Sequence, residues 1–234
     1  NVLCPSSYQV GQDTLSFVAG MAPLTKKINL LAAIRCGEIH PPILARSIAT
    51  IDHMLKGRLT INIISSDLPG DQLSSSERYS RSREVIKILK QAWSQDYIDF
   101  EGNYYKFKLS SKPVKTYQKG GPLLYFGGYS PDGIDLCAEH CDVYLMWPET
   151  KNKIKALMNK MTEKAAIYNR KVQFGLRVHV IVRKTEKEAR EYAKSLLSKL
   201  DLDLGIDIRT RSQDSNSLGV ARQSILREES DKNF

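Results

Sequence analysis

The sequence predicts an α/β protein built on a parallel sheet. Short apolar runs of strand length alternate with longer amphipathic segments, the runs are apolar on both faces, and the segments between them are long enough to be crossover helices. Val2-Leu3-Cys4 is the first run, and 13–21 is helix-like until Pro23 stops it. INLLAAI over 28–34 is the second run. In 41–55 the apolar residues Ile43, Leu44, Ile48, Ile51 and Leu55 have helical spacing, Pro41 and Pro42 suit a first turn, and Gly57 closes the segment.

LTINII over 59–64 is a third strand, followed by a polar loop over 65–76 and a helix over 77–93. The rhythm then breaks. Residues 97–109 alternate as a small hairpin around Glu101-Gly102-Asn103, inside an insertion of about 96–120. The rhythm resumes with a strand at 123–126, a helix at 132–140, a strand at 143–147 and a helix at 151–169. FGLRVHVIV over 174–182 is a sixth strand, 186–200 a helix, and about 201–234 a polar tail. Two architectures fit such a pattern, an open doubly wound sheet and a closed (β/α)8 barrel. No GxGxxG follows the first strand, which weakens the dinucleotide-binding sheet. Six β/α units fit the interior portion of a barrel, one unit short before Val2 and one after Phe234, within a single domain spanning 1–234.

Composition narrows the function classes. Of 234 residues, 35 are Lys or Arg and 26 are Asp or Glu, for a formal net charge of +9; the hydrophobic share is 41% and the charged share 26%. That balance excludes a disordered or collagen-like chain. No run approaches the ~18 apolar residues of a membrane span, and the first residues lack the basic start and apolar middle of a signal peptide. The expectation is a cytoplasmic protein with no membrane partner. Its four cysteines, Cys4, Cys36, Cys137 and Cys141, read as reduced thiols. Much of the basic excess lies on helix-like stretches (Lys151, Lys153, Lys155, Lys160, Lys164) and reads as solvated faces. No zinc-finger or RNP-like signature accompanies it, so no nucleic-acid partner is expected.

In a parallel barrel the chemistry collects where strands end. The strand-end residues are Ser6, Ser7, Arg35, Ser65, Ser66, the run Gly127-Gly128-Tyr129-Ser130, Trp147, Arg177 and His179. Gly127 to Ser130 follows a strand and opens a helix, so backbone amides and a Ser hydroxyl can receive an anion there; a plain tight turn gives the same spacing. Arg177 and His179 are two apart on a strand and share a face, with Leu176, Val178 and Val180 pointing the other way toward a helix layer. An inward cation can hold an anionic substrate or intermediate and the His can carry a proton; a solvent-facing rim accounts for the same pattern. Asn62, within an apolar strand, either binds a ligand or satisfies neighbouring backbone. The Tyr79 hydroxyl, in SERY at a helix start, suits a phosphate or simply the surface. Cys137, His140 and Cys141 lack a second ligand pair and read as packed thiols, with no metal. His40 and His53 read as a helix start and a helix surface.

The stretches NLLAAIRCG, IATIDHMLKGRLTINIISSD, SERYSRSREVIKILKQAW, DFEGNYYKF, PLLYFGGYSPDGIDLCAEHCDVYLMW and FGLRVHVIVRKTEKEA, in order from Val2 to about Leu200, resemble the bacterial luciferase-like flavin monooxygenases, and within them the alkanesulfonate monooxygenases. DSNSLGVARQ is similar to the region that follows in some members. The resemblance implies a (β/α)8 barrel with an insertion after the fourth strand. It implies reduced FMN from a separate NAD(P)H-dependent flavin reductase, O2 reacting through a C4a-peroxyflavin, and a homo-oligomer acting on an alkanesulfonate or related small organosulfur substrate. By motif, Ala33 would lie beside the isoalloxazine, Asn62 and Ser65 would line the flavin site, and Tyr79, Gly128, Tyr129 and Ser130 would hold the FMN phosphate. Arg177 and His179 match the Arg and His implicated in the chemistry. The rivals are an F420-dependent oxidoreductase of the same fold and a truncated, non-catalytic flavin-binding relative.

Overall fold

A computed structural model describes residues 1–6, 12–66 and 73–198, together with 201, 203 and 205. Ser7, the stretch 214–223 and nearly all of the 201–234 tail lie outside them. The chain divides into two compact units, Asn1–Gly175 and Leu176–Phe234.

Six strands form one sheet: β1 (Val2–Cys4), β2 (Leu30–Arg35), β3 (Leu59–Ile64), β6 (Leu124–Phe126), β7 (Val143–Met146) and β8 (Gln173–Leu176), in the spatial order β1-β2-β3-β6-β7-β8. The pairings from β1 through β7 are parallel. Between consecutive strands run α1 (Thr14–Met21), α2 (Pro41–Leu55), α3 (Ser75–Ser94), α4 (Pro131–His140) and α5 (Lys151–Ile167). The departure from alternation is the antiparallel hairpin β4 (Tyr97–Glu101) and β5 (Lys106–Ser110), at the expected insertion.

Local chemistry sets the helix starts. Asp13, Ser74, Ser130 and Thr150 each accept a first-turn amide with their side chain, and Ser74 forms a reciprocal capping box with Glu77. Helix α3 therefore begins two residues before the apolar periodicity does. His40 precedes α2, which opens on Pro41 and Pro42 as expected. Its exit uses two left-handed residues rather than Gly57 alone: Lys56 at φ 51° and Gly57 at φ 81°, with the Gly57 amide donating to the Asp52 carbonyl at 3.1 Å.

Because side chains alternate along a strand, the sheet has two unlike sides. One side presents Cys4, Leu30, Ala32, Ile34, Leu59, Ile61, Ile63, Leu124, Phe126, Tyr144 and Met146, which join residues of α1 to α5 in one continuous core. The register puts Ala33, Asn62, Tyr125 and Val143 in a single row on the other side. Cys137 and Cys141 are fully buried in the helix-side core, and all four cysteines are unpaired. Lys151, Lys153, Lys155 and Lys160 are exposed on α5, the solvated face their spacing suggests.

Two buried carboxylates bolt the insertion to the helix layer. Glu84 accepts the amides of Asn103, Tyr104 and Tyr105 at 2.7, 3.0 and 3.2 Å. A side chain at Gly102 would run into that carboxylate. Asp52 accepts the Gln118 amide at 2.8 Å and its Nε2 at 2.7 Å.

The sixth strand is shorter than its apolar run. β8 stops at Leu176, whereas the alternation extends to Val182. Its neighbour β7 is only four residues long, so beyond Leu176 no neighbouring strand among the described residues offers a ladder of backbone groups. Leu176, Val178 and Val180, expected under a helix layer, are 50%, 50% and 70% exposed. In the second unit α6 (Glu186–Leu197) is capped by Thr185, and the Arg183 guanidinium lies 3.7 Å above the Tyr192 ring.

Candidate functional site

The carboxyl ends of β3, β6 and β7 bring several of the sequence-derived residues together. Ser130 is the N-cap of α4: its Oγ accepts the Gly133 amide at 3.1 Å and donates to the Tyr79 hydroxyl at 3.0 Å. Tyr79 reaches this point from the first turns of α3 and meets Phe126 edge-on, with ring centroids 6.2 Å apart. Gly128 lies beneath the same hydroxyl. A Cβ there would come within 2.7 Å of the Phe126 ring and 3.7 Å of the Tyr79 oxygen, and a Cβ at Gly133 within 3.0 Å of both hydroxyl oxygens. Both positions are packed so closely that glycine fits them without displacing a neighbour. Two hydroxyls and the start of a ten-residue helix thus converge on one small space, a combination that favours an anion.

Tyr129 does something else. Its hydroxyl accepts the Trp147 amide at 3.0 Å, tying the turn after β6 to the end of β7. Ser65 is likewise engaged in holding the strand ends: its Oγ pairs with Ser82 Oγ at 2.7 Å and its carbonyl accepts Arg78 Nε at 3.1 Å. Arg35 ends β2 and spans its neighbours, donating to Ser66 Oγ at 2.6 Å and to the Ser6 carbonyl at 3.5 Å.

Ala33 and Asn62 are directly paired across β2 and β3, with Tyr125 next in the row. Asn62 Oδ1 is shielded from solvent and has no hydrogen-bond partner among the described residues. An amide oxygen left this way costs about 1–3 kcal/mol unless something donates to it. Backbone satisfaction, one of the two readings of Asn62, is not met at this oxygen. Ala33, at 2% exposure, adds almost no side chain to the same row. The row thus sets a buried, unpartnered acceptor between a small side chain and Tyr125.

Arg177 and His179 lie one and three residues beyond the end of β8, in the second compact unit, whereas Tyr79 and Ser130 belong to the first. The sequence reading missed Tyr144, whose hydroxyl donates to the Gly128 carbonyl at 2.8 Å. It also missed the two anchors Asp52 and Glu84. A signal existed for Tyr144, since a Tyr inside an apolar strand must find a partner for its hydroxyl.

Burial dominates the titration of Cys36 and His140. The Cys36 thiol is pushed up to about 12 by desolvation, against a weaker opposing hydrogen bond from Ser82. His140 is lowered to about 4, chiefly by desolvation. Glu139 Oε1, 3.2 Å from its Nε2, opposes that shift without outweighing it, and Lys90, Lys87 and Arg83 reinforce it. Among the described residues no group of three or more His, Cys, Asp or Glu side chains is placed to hold a metal.

Residues 2–232 match the family model of the luciferase-like monooxygenases, and the chain belongs to that family. It is 61% identical over 234 residues to a sulfoquinovose monooxygenase of Agrobacterium fabrum (strain C58), covering 99% of this chain and 61% of that protein. A sulfoquinovose monooxygenase of Novosphingobium aromaticivorans is 47% identical, over 97% of this chain and 65% of its own length. The chain thus spans somewhat under two thirds of the length of these relatives. Among solved structures, the EDTA monooxygenase from Chelativorans sp. BNC1 superposes with a TM-score of 0.75 at 16% identity, over 85% of this chain and 56% of that one. The fold is accordingly that of a luciferase-like barrel, of which these six parallel strands form part, and the row of Ala33, Asn62 and Tyr125 lies on its inner side.

Proposed function

We propose that this family member is the flavin-binding portion of an FMN-dependent, two-component monooxygenase that cleaves the carbon–sulfur bond of a small organosulfonate. The observation that carries the reading is the meeting of the Tyr79 and Ser130 hydroxyls beside the closely packed Gly128 and Gly133 at the start of α4. The names of the two relatives, both acting on a sulfonated sugar, support a sulfonate as the substrate.

Each residue has a task in that reading. Ser130 and Tyr79 exchange their mutual hydrogen bond for bonds to a phosphate, while the α4 dipole offsets its charge. Asn62 Oδ1 accepts an N–H from the flavin ring, and the small Ala33 lets the ring lie close to β2. Arg35, Arg78 and Tyr129 hold the strand ends that carry these groups. Reduced FMN, delivered by an NAD(P)H-dependent flavin reductase, supplies the two electrons that activate O2, so that sulfonate, O2 and FMNH2 give aldehyde, hydrogen sulfite, FMN and water. Arg177 is assigned to hold the negative charge of the substrate or of the reacting group, and His179 to move a proton.

Anaerobic titration with reduced FMN, followed by sulfite release from organosulfonates in the presence of a flavin reductase and O2, tests the assignment. Binding of reduced FMN and sulfite formation are expected, with turnover lost and FMN binding kept in Arg177→Ala. Absence of FMN binding defeats the proposal, and consumption of reduced F420 without O2 replaces it with hydride transfer.

A further inference from the structure

Tyr144 stands apart from the other large residues of the core. It is 1% exposed, on the helix-facing side of β7 beside Phe126, yet its hydroxyl leaves that core to donate to the Gly128 carbonyl at 2.8 Å. Gly128 is the residue of the phosphate corner at which a Cβ would run into the Phe126 ring and lie 3.7 Å from the Tyr79 oxygen. Lacking a Cβ, it also gives the Gly128–Tyr129 peptide more rotational freedom than any other residue would.

That freedom matters for an anion. The peptide plane is trans, so its carbonyl and its N–H point in opposite directions. With the carbonyl turned to the solvent side of the rim, its lone pairs would face the phosphate and repel it. With the carbonyl committed to the Tyr144 hydroxyl, its lone pairs face that donor, and the Tyr129 N–H points the opposite way. We infer that Tyr144 is a positioning residue for the cofactor phosphate: its buried phenol fixes the orientation of the Gly128–Tyr129 peptide and so tunes affinity for a phosphorylated flavin. The inference rests on the reading of the Tyr79–Ser130 corner as a phosphate site.

Tyr144→Phe keeps the ring and its packing and deletes one hydroxyl. Reduced FMN and reduced riboflavin are titrated anaerobically into the full chain and into the variant; riboflavin has the same ring system without the phosphate. The variant is expected to lose about five- to tenfold in FMN affinity, the worth of one hydrogen bond, with riboflavin affinity unchanged. Equal losses for both ligands, or no loss for either, overturn the inference and leave Tyr144 with a packing role. If the unaltered chain does not distinguish FMN from riboflavin, the phosphate corner itself is wrong and the inference goes with it. A second measurement avoids the variant's folding altogether. In the unaltered chain the Tyr129 amide proton resonance is expected to move downfield on adding FMN and to stay in place with riboflavin; the same response to both ligands overturns the inference.

Discussion

The two sides of the sheet are made from alternate residues of the same strands and obey different rules. Toward the helices, Ile61 and Ile63 flank Asn62, are at most 1% exposed and belong to the continuous apolar core. One residue away, on the inner side, Asn62 keeps a buried acceptor without a partner among the described residues, next to an alanine that fills almost no space. The helix side is packed for stability; the inner side tolerates an unsatisfied polar atom. The surrounding core holds the strand in place despite that defect. Tyr144 crosses between the two regimes, packed on the helix side with its polar end committed to the rim.

The comparison breaks most visibly at Ile61. Ile61→Ala is expected to destabilise the fold by about 2–5 kcal/mol, from lost transfer energy plus a cavity, read as a lower urea midpoint. A shift of a few tenths would mean that the helix side is not the stability-bearing one.

Acid attacks the same side through His140. Its pKa falls from an ordinary 6.5 to about 4 on folding, mainly by burial. Between those values the unfolded chain binds more protons, so stability decreases as pH falls below about 6.5 and the loss is complete below about 4. The full effect is on the order of 3 kcal/mol, measurable as urea midpoints from pH 7 to pH 4. His140→Gln should flatten this part of the profile; an unchanged profile would assign the acid sensitivity elsewhere.

Asn62→Ala gives the smallest stability change and the sharpest contrast. Removing an unpaired acceptor should alter stability by less than about 1 kcal/mol in either direction while weakening reduced flavin severalfold, with FMN and riboflavin affected alike. A large loss of stability with intact flavin binding would place Asn62 among the structural residues.

How much of this was legible depended on where the determining contacts lie. The strand order in the chain, the hairpin insertion and the Pro-led start of α2 followed from periodicity and local steric rules, because each is fixed within a few residues. The Ser74 capping box was readable in principle from Ser and Glu three apart, yet the apolar pattern alone starts the helix later. The meeting of Tyr79 with Ser130 was implied by family resemblance and not by spacing, since the two residues are 51 positions apart. Glu84 and Asp52 read as ordinary helix carboxylates; their burial against backbone amides some 20 and 66 residues away appears only in the folded chain. The overlong sixth strand misled for the complementary reason. Its alternation is intrinsic to the sequence, but a strand ends where its partner does.

The sequence by itself determined the period of every element, the two-sided character of the strands and the identity of the groups at their ends, because those depend on side-chain type and near neighbours. Only the tertiary structure decided which of those groups share a space: that two hydroxyls close on a glycine corner, that an amide oxygen is left waiting on the inner side, and that a core tyrosine fixes a peptide at the rim. Such pairings are set by the packing of helices on a common sheet, and helix packing brings together residues whose separation in the chain carries no local signal.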